Sequence, residues 1–241
     1  MSLITGETQV GVFVKTASHQ VIEVLGAAGL DFAVIDAEHA PFDRNALDVM
    51  LLAGRASRLA LLVRVADASG QGISSALDMG AAGVVVPHVH SAAHAREIVA
   101  NAKFRSGRRG VSPSPRYAGY GSLGMAKALE AGDATAVVCQ IEDREGLSSV
   151  EEIAKVPGVS ALFIGRADLA HALSSAHVSD PLVVDASLRI IEAARQAGKA
   201  AAIFLPDSTE KAFFEARGAS MFIIGSDQSI LRSGVSALKG Y

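Results

Sequence analysis

The run Asp36-Ala37-Glu38-His39-Ala40-Pro41 sets a histidine between two carboxylates and a proline, directly after the apolar stretch Phe32-Ala33-Val34-Ile35. Packing explains such a cluster poorly. Proton transfer explains it well, because a carboxylate beside an imidazole fixes its tautomer and stabilises its cation. His39 is therefore the candidate base, with Asp36 and Glu38 as its candidate partners.

Other chemistry-bearing residues fall in similar places. Glu142 and Asp168 each lie just beyond an apolar run, and two carboxylates with positions left open for water or substrate suit a hard divalent cation. The alternative is a pair of structural ion pairs with Arg144 and Arg166. Gly165, within Gly165-Arg166-Ala167-Asp168, permits close backbone approach, and the amides that follow it suit an anionic group. Arg64 ends Leu61-Leu62-Val63, where a guanidinium either stabilises an enolate oxygen or pairs with a carboxylate inside the fold. His88, His90 and His94 have spacing that a histidine metal site uses, although Pro87 is expected to end the strand before them and His94 to start the next helix. Lys15 is the candidate for an alternative Schiff-base route.

Two tempting motifs carry less. Gly119-Tyr120-Gly121-Ser122-Leu123-Gly124 matches the dinucleotide glycine pattern but follows a Ser/Pro-rich segment, not a strand, and is a loop. Cys139, the only cysteine, sits among valines and isoleucine and is expected to be an inert core residue.

The elements that must position these groups are short apolar, β-branched runs at residues 10–15, 31–36, 59–65, 83–87, 136–141, 160–164, 200–205 and 220–224. Segments of helical spacing separate most of them. Gly29, Gly80, Gly132, Gly198 and Gly218 precede strands, where helix ends favour positive φ. Nearly continuous apolar strands indicate a parallel sheet covered by helices. Eight β-then-α units in 241 residues point to a single-domain (β/α)8 TIM barrel spanning residues 1–241, with a doubly wound open sheet as the alternative. A barrel gathers its active groups at the strands' C-terminal ends, where Lys15, Asp36, Glu38, His39, Arg64, His88, His90, Glu142, Asp168 and Asp227 all fall. Residues 104–124 form a long loop, expected to be an active-site lid or a subunit contact.

Composition narrows the class. Half the residues are hydrophobic, a fifth are charged and the net charge is −3, which disfavours disorder and a nucleic-acid surface. The dense basic group Arg105, Arg108 and Arg109 is expected to be a solvated loop. No apolar run reaches the ~18 residues of a membrane span, and no secretory signal is evident. A soluble cytoplasmic protein is the expectation.

Taken together, the segments around Asp36–Pro41, Val63-Arg64, Gln140-Ile141-Glu142 with Arg144-Glu145, and Phe163–Leu169 resemble the HpcH/HpaI aldolase family of metal-dependent class II pyruvate aldolases. The resemblance covers essentially the whole chain. It implies that Glu142 and Asp168 hold a divalent metal ion (Mg²⁺, Mn²⁺ or Co²⁺) that chelates a pyruvate-like unit. It further implies that Arg64 binds the keto oxygen, that His39, oriented by Asp36, is the base through a metal-bound water, and that Glu38 supports the water network. Gly165, Arg166 and Ala167 would line the substrate carboxylate. Arg166 stands where the family usually has proline, and would either recruit a further anionic group or point into solvent. A homo-oligomer is implied, a hexamer built as a trimer of dimers, with a C-terminal helix near 227–238 exchanged between barrels.

The expected reaction is reversible cleavage of a 4-hydroxy-2-oxo acid to pyruvate and an aldehyde. The alternatives are another metal–enolate reaction, such as oxaloacetate decarboxylation or CoA-thioester cleavage, and a catalytically silent keto-acid-binding protein.

Overall fold

A computed structural model describes residues 7–240. Eight parallel strands follow one another around a closed barrel: β1 Gln9–Val14, β2 Phe32–Asp36, β3 Ala60–Arg64, β4 Gly83–Val86, β5 Ala136–Ile141, β6 Ala161–Ile164, β7 Ala200–Leu205 and β8 Met221–Ser226. Each pairs with its sequence neighbours, and β1 closes the barrel on β8. The fold is a single-domain (β/α)8 TIM barrel, as the sequence predicts, and the open sheet is excluded.

Alternation along each strand sorts the apolar residues into two cores. Phe13, Phe32, Val34, Leu62, Val138 and Phe163 are among those that fill the barrel interior. Val12, Ala33, Ile35, Leu61, Val63 and Cys139 turn outward to the helices. Burying each large apolar side chain contributes roughly 1.5–3 kcal/mol. The same period of two carries Asp36, Arg64 and Gln140 onto the inner face, one step above the apolar layers. A polar floor at the mouth thus follows from continuing the strand pattern.

Side-chain caps turn the chain at this end. Asp43, Ser69, Ser91, Asp143 and Ser226 each accept a hydrogen bond from an amide in the first turn of the following helix. Gly29, Gly80, Gly198 and Gly218 have the expected positive φ. Gly132 does not: it stays within the helix Met125–Asp133. Its missing Cβ leaves room for the Phe104 ring.

Residues 104–124 are not a lid. The segment contains a 3-10 stretch, Arg116–Gly121, and packs at the opposite end of the barrel. Arg116 donates to the Met79 carbonyl at 2.6 Å and to Asp48 at 3.0 Å, and with Tyr117 it lines a groove along Leu59, Ala60, Ala82 and Thr135, all near strand starts. Of the basic group, Arg105 and Arg108 are exposed in the loop as expected, Arg108 pairing with exposed Glu97, whereas Arg109 is buried against Asp78 at 2.6 Å. Among the described residues no helix is long and apolar enough to cross a membrane.

Candidate functional site

A cavity of about 530 Å³ opens at the C-terminal ends of the strands. Phe13, Phe163 and Phe204 form its apolar wall, and Lys15, His39, Arg64, Gln140, Gly165, Arg166, Ala167 and Asp168 bring polar groups to it.

On one side, Asp36 and Arg64 are register partners across β2 and β3. Arg64 Nε donates to Asp36 Oδ1 at 3.0 Å, and its Nη2 lies 2.8 Å from Oδ2. Arg64 also approaches Glu38 at 3.2 Å and stacks over Phe13 with 4.6 Å to the ring centroid. Lys15 Nζ reaches Asp36 Oδ2 at 3.2 Å. Burial opposes ionisation of Asp36, but the Arg64 hydrogen bonds and charge, the His39 amide and Lys15 outweigh it. They hold the carboxyl below its usual value.

Asp36 does not orient the His39 ring, as the resemblance implied. It accepts the His39 backbone amide at 3.2 Å. The ring is the half-exposed part, and its Nε2 lies 3.7 Å from Glu38 Oε2. The reason lies in the register: Asp36 is the last inward residue of β2, directly opposite Arg64, whereas His39 lies three residues on, past the turn. Lys15, the candidate for a Schiff-base route, instead directs its Nζ to the Asp36 carboxylate.

Across the mouth, Glu142 is buried and fixed at both oxygens. The His88 amide donates to Oε1 at 2.7 Å, His88 Nδ1 lies 3.1 Å from the same oxygen, and Gln140 Nε2 donates to Oε2. Burial pushes the Glu142 carboxyl up, the His88 and Gln140 contacts oppose this, and the charge of Asp168 pushes it up further. Neither carboxylate forms the alternative ion pair with Arg144 or Arg166 among the described contacts. Gly165 follows β6 next to Glu142, and a Cβ there would lie 2.8 Å from Glu142 Cβ and 2.9 Å from its Oε2. Gln140 Oε1 is buried with no hydrogen-bond partner. Two repelling carboxylates, a backbone stripped of Cβ beside them and an orphaned amide oxygen together fit a hard divalent cation.

The expected histidine cluster divides. His88 adopts a left-handed backbone with φ 54°, which aims its amide and ring at Glu142, and its Nε2 lies 3.6 Å from Glu38. His90 and His94 instead face one another with Nδ1 atoms 3.1 Å apart. Among the described residues no three His, Cys, Asp or Glu side chains converge as a metal site, so the carboxylate pair would leave its other positions to water and substrate. Cys139 is fully buried, and burial pushes its thiol up to about 12.

Arg166 takes neither expected course. Its guanidinium is 2% exposed, pairs with both oxygens of Glu210 at 2.7 and 3.0 Å and donates to the Val178 carbonyl at 2.8 Å. Asp227 is likewise structural, accepting the Lys15 and Thr16 amides at 2.9 and 3.0 Å. Sequence reasoning gave Gln140 no role, yet its inward position in an apolar strand signals one. His88 was weighed only as a metal ligand, and its left-handed turn after Pro87 has no sequence signature.

The chain matches the HpcH/HpaI aldolase/citrate lyase family over residues 9–233. It is 34% identical over 239 residues to a 5-keto-4-deoxy-D-glucarate aldolase of Klebsiella pneumoniae, covering 98% of this chain and 93% of that protein. Among solved structures, a HpcH/HpaI aldolase/citrate lyase family protein from Burkholderia cenocepacia superposes with a TM-score of 0.92 at 32% identity, covering 99% of this chain and 96% of the other. The citrate synthase SbnG superposes with a TM-score of 0.88 at 29% identity, covering 98% and 93%. A closed eight-stranded barrel, a polar mouth and full-length similarity agree: the chain belongs to the HpcH/HpaI aldolase/citrate lyase family of carbon–carbon lyases.

Proposed function

We propose that the protein is a divalent-metal-dependent aldolase that cleaves a 4-hydroxy-2-oxo acid reversibly to pyruvate and an aldehyde. The observation that carries this reading is the convergence of Arg64, His39, Gln140 and Asp168 on one cavity beside buried Glu142. The Klebsiella relative, an aldolase by name, supports it.

Glu142 and Asp168 would hold the cation, which supplies Lewis-acid stabilisation of negative charge on the 2-oxo oxygen. The amides of Arg166 and Ala167, at the start of the helix after Gly165, would bind the substrate carboxylate; the Gly165 amide is committed to the Ile141 carbonyl at 3.1 Å, so Gly165 contributes only the open space beside Glu142. Arg64, locked by Asp36, donates to the 2-oxo oxygen as charge develops there. His39 accepts the proton of the 4-hydroxyl, and Glu38 beside it stabilises the imidazolium. The C3–C4 electron pair passes into the enolate, the 4-oxygen becomes the aldehyde carbonyl, and protonation at C3 yields pyruvate.

The helix Asp227–Lys239 exposes Ile230, Leu231, Val235 and Leu238, the two leucines by 71% and 89%. That apolar face supports a homo-hexamer in which this helix is exchanged between barrels, working in the cytoplasm on small acids.

The test is pyruvate release from a panel of 4-hydroxy-2-oxo acids with Mg²⁺, Mn²⁺ or Co²⁺, and its loss in EDTA. Absence of both pyruvate release and metal-dependent exchange of pyruvate methyl protons overturns the reading. The likeness to SbnG supports a second one, another carbon–carbon reaction through the same enolate. Faster turnover of oxaloacetate or a CoA thioester than of any hydroxy-oxo acid would favour it.

A further inference from the structure

Lys15 is held at both ends. Its amide is clamped by Asp227 Oδ1, and its ammonium is clamped by Asp36 Oδ2 over the Phe13 ring, 6.0 Å from the centroid. The side chain is still about a third exposed and lines the cavity. Arg64 binds the same Asp36 oxygen and covers the same ring. Two cations thus hang side by side from one carboxylate oxygen above one aromatic floor. Asp36 Oδ2 is an ion-pair partner at 3.2 Å and can accept from at most one of the three ammonium N–H groups.

We propose that Lys15 is a catalytic residue whose ammonium donates a hydrogen bond to the C4 oxygen of the substrate. This deepens the aldolase reading above and rests on it. A 4-hydroxy-2-oxo acid carries two oxygens in a 1,3 relationship, at C2 and at C4. Neighbouring donors suspended from a shared carboxylate match that pair, with Arg64 on the C2 oxygen and Lys15 on the C4 oxygen. As the 4-hydroxyl proton leaves for the base, negative charge builds on the C4 oxygen. The C3–C4 bond then breaks and that oxygen becomes the aldehyde carbonyl. Lys15 keeps its protons throughout and acts only by its fixed positive charge. Because it is anchored before substrate arrives, this stabilisation requires little reorganisation. In the reverse direction the same contact polarises the aldehyde for attack by the enolate.

Three properties separate this role from a merely structural one. Enolisation of pyruvate alone involves no C4 oxygen, whereas cleavage does. Lys15→Met, which keeps the length and removes the charge, should therefore lower kcat/KM for cleavage about 100-fold, the usual cost of one such donor. Its effect on metal-dependent exchange of pyruvate methyl protons should be at least about 20-fold smaller. Lys15→Arg should recover part of the cleavage. In binding measured by calorimetry, 2,4-dihydroxybutanoate should weaken about 10-fold with Lys15→Met while 2-hydroxybutanoate binds as to the parent protein. Equal losses of exchange and cleavage would overturn the proposal, since Lys15 would then act through Asp36 and Arg64. Unchanged cleavage would overturn it as well. If the parent protein itself neither cleaves hydroxy-oxo acids nor exchanges pyruvate protons, the aldolase reading fails first and takes this role with it.

Discussion

Asp36 and Arg64, 28 residues apart in the chain, face each other across neighbouring strands and close a two-point ion pair at 3.0 and 2.8 Å on the inner wall of the barrel. The pair is buried, and it turns a flexible guanidinium into a fixed donor at the cavity. Arg64→Lys keeps the charge but loses the fork. It should lower kcat for pyruvate release by 10²-fold or more, the usual cost of one transition-state donor. Asp36→Ala leaves Arg64 unpaired and should cost about 3–5 kcal/mol in denaturant unfolding.

The depressed carboxyl of Asp36 sets a pH dependence. In the unfolded chain this group titrates near ~3.9, and in the fold it titrates lower. Its contribution is therefore fully present above the unfolded value and is lost as pH falls through the folded one. Unfolding free energy measured from pH 6 to pH 2 should drop more steeply for the parent protein than for Asp36→Asn. The gap between the two should narrow below about pH 4.

Removing either carboxylate of the pair should remove the cation. Glu142→Gln and Asp168→Asn should each weaken Mn²⁺ binding in calorimetry by more than about 100-fold, beyond the loss seen for supporting residues. Cleavage should fall with it, while His39→Ala should bind Mn²⁺ normally and still lose cleavage.

Gly165 tests the geometry of the same corner. In Gly165→Ala the new Cβ meets Glu142 Cβ and Oε2 inside 3 Å, with the Gln140 amide at 3.1 Å. Such overpacking costs typically about 1–3 kcal/mol. The expected outcome is a folded barrel, intact by circular dichroism, with metal affinity reduced at least about 10-fold because Glu142 is displaced.

Arg166 separates stability from recognition. Its two Nη atoms are engaged by Glu210 and the Val178 carbonyl, so Arg166→Met should lower unfolding free energy by about 3 kcal/mol. KM across monoanionic and dianionic substrates should change alike. A selective rise for dianions would instead place the guanidinium on substrate.

Local chemistry made much of this protein legible in its sequence. Nearly continuous apolar runs punctuated by glycine indicate buried parallel strands, and eight of them point to a closed barrel. A barrel in turn sends whatever follows a strand to one mouth, which is why Asp36, Arg64, Glu142 and Asp168 could be singled out without coordinates. Contacts between distant segments were not legible. Nothing near Asp36 says that it bonds Arg64 and Lys15 and leaves the His39 ring to Glu38. Nothing near Arg166 names Glu210, and nothing in residues 104–124 says that they pack at the far end. The left-handed turn that aims His88 at Glu142 is equally silent. Short-range periodicity and turn chemistry act within a few residues and are written in the chain. Partner choice is set by strand register and loop closure, which bring together groups tens of residues apart, and these the tertiary structure alone decided.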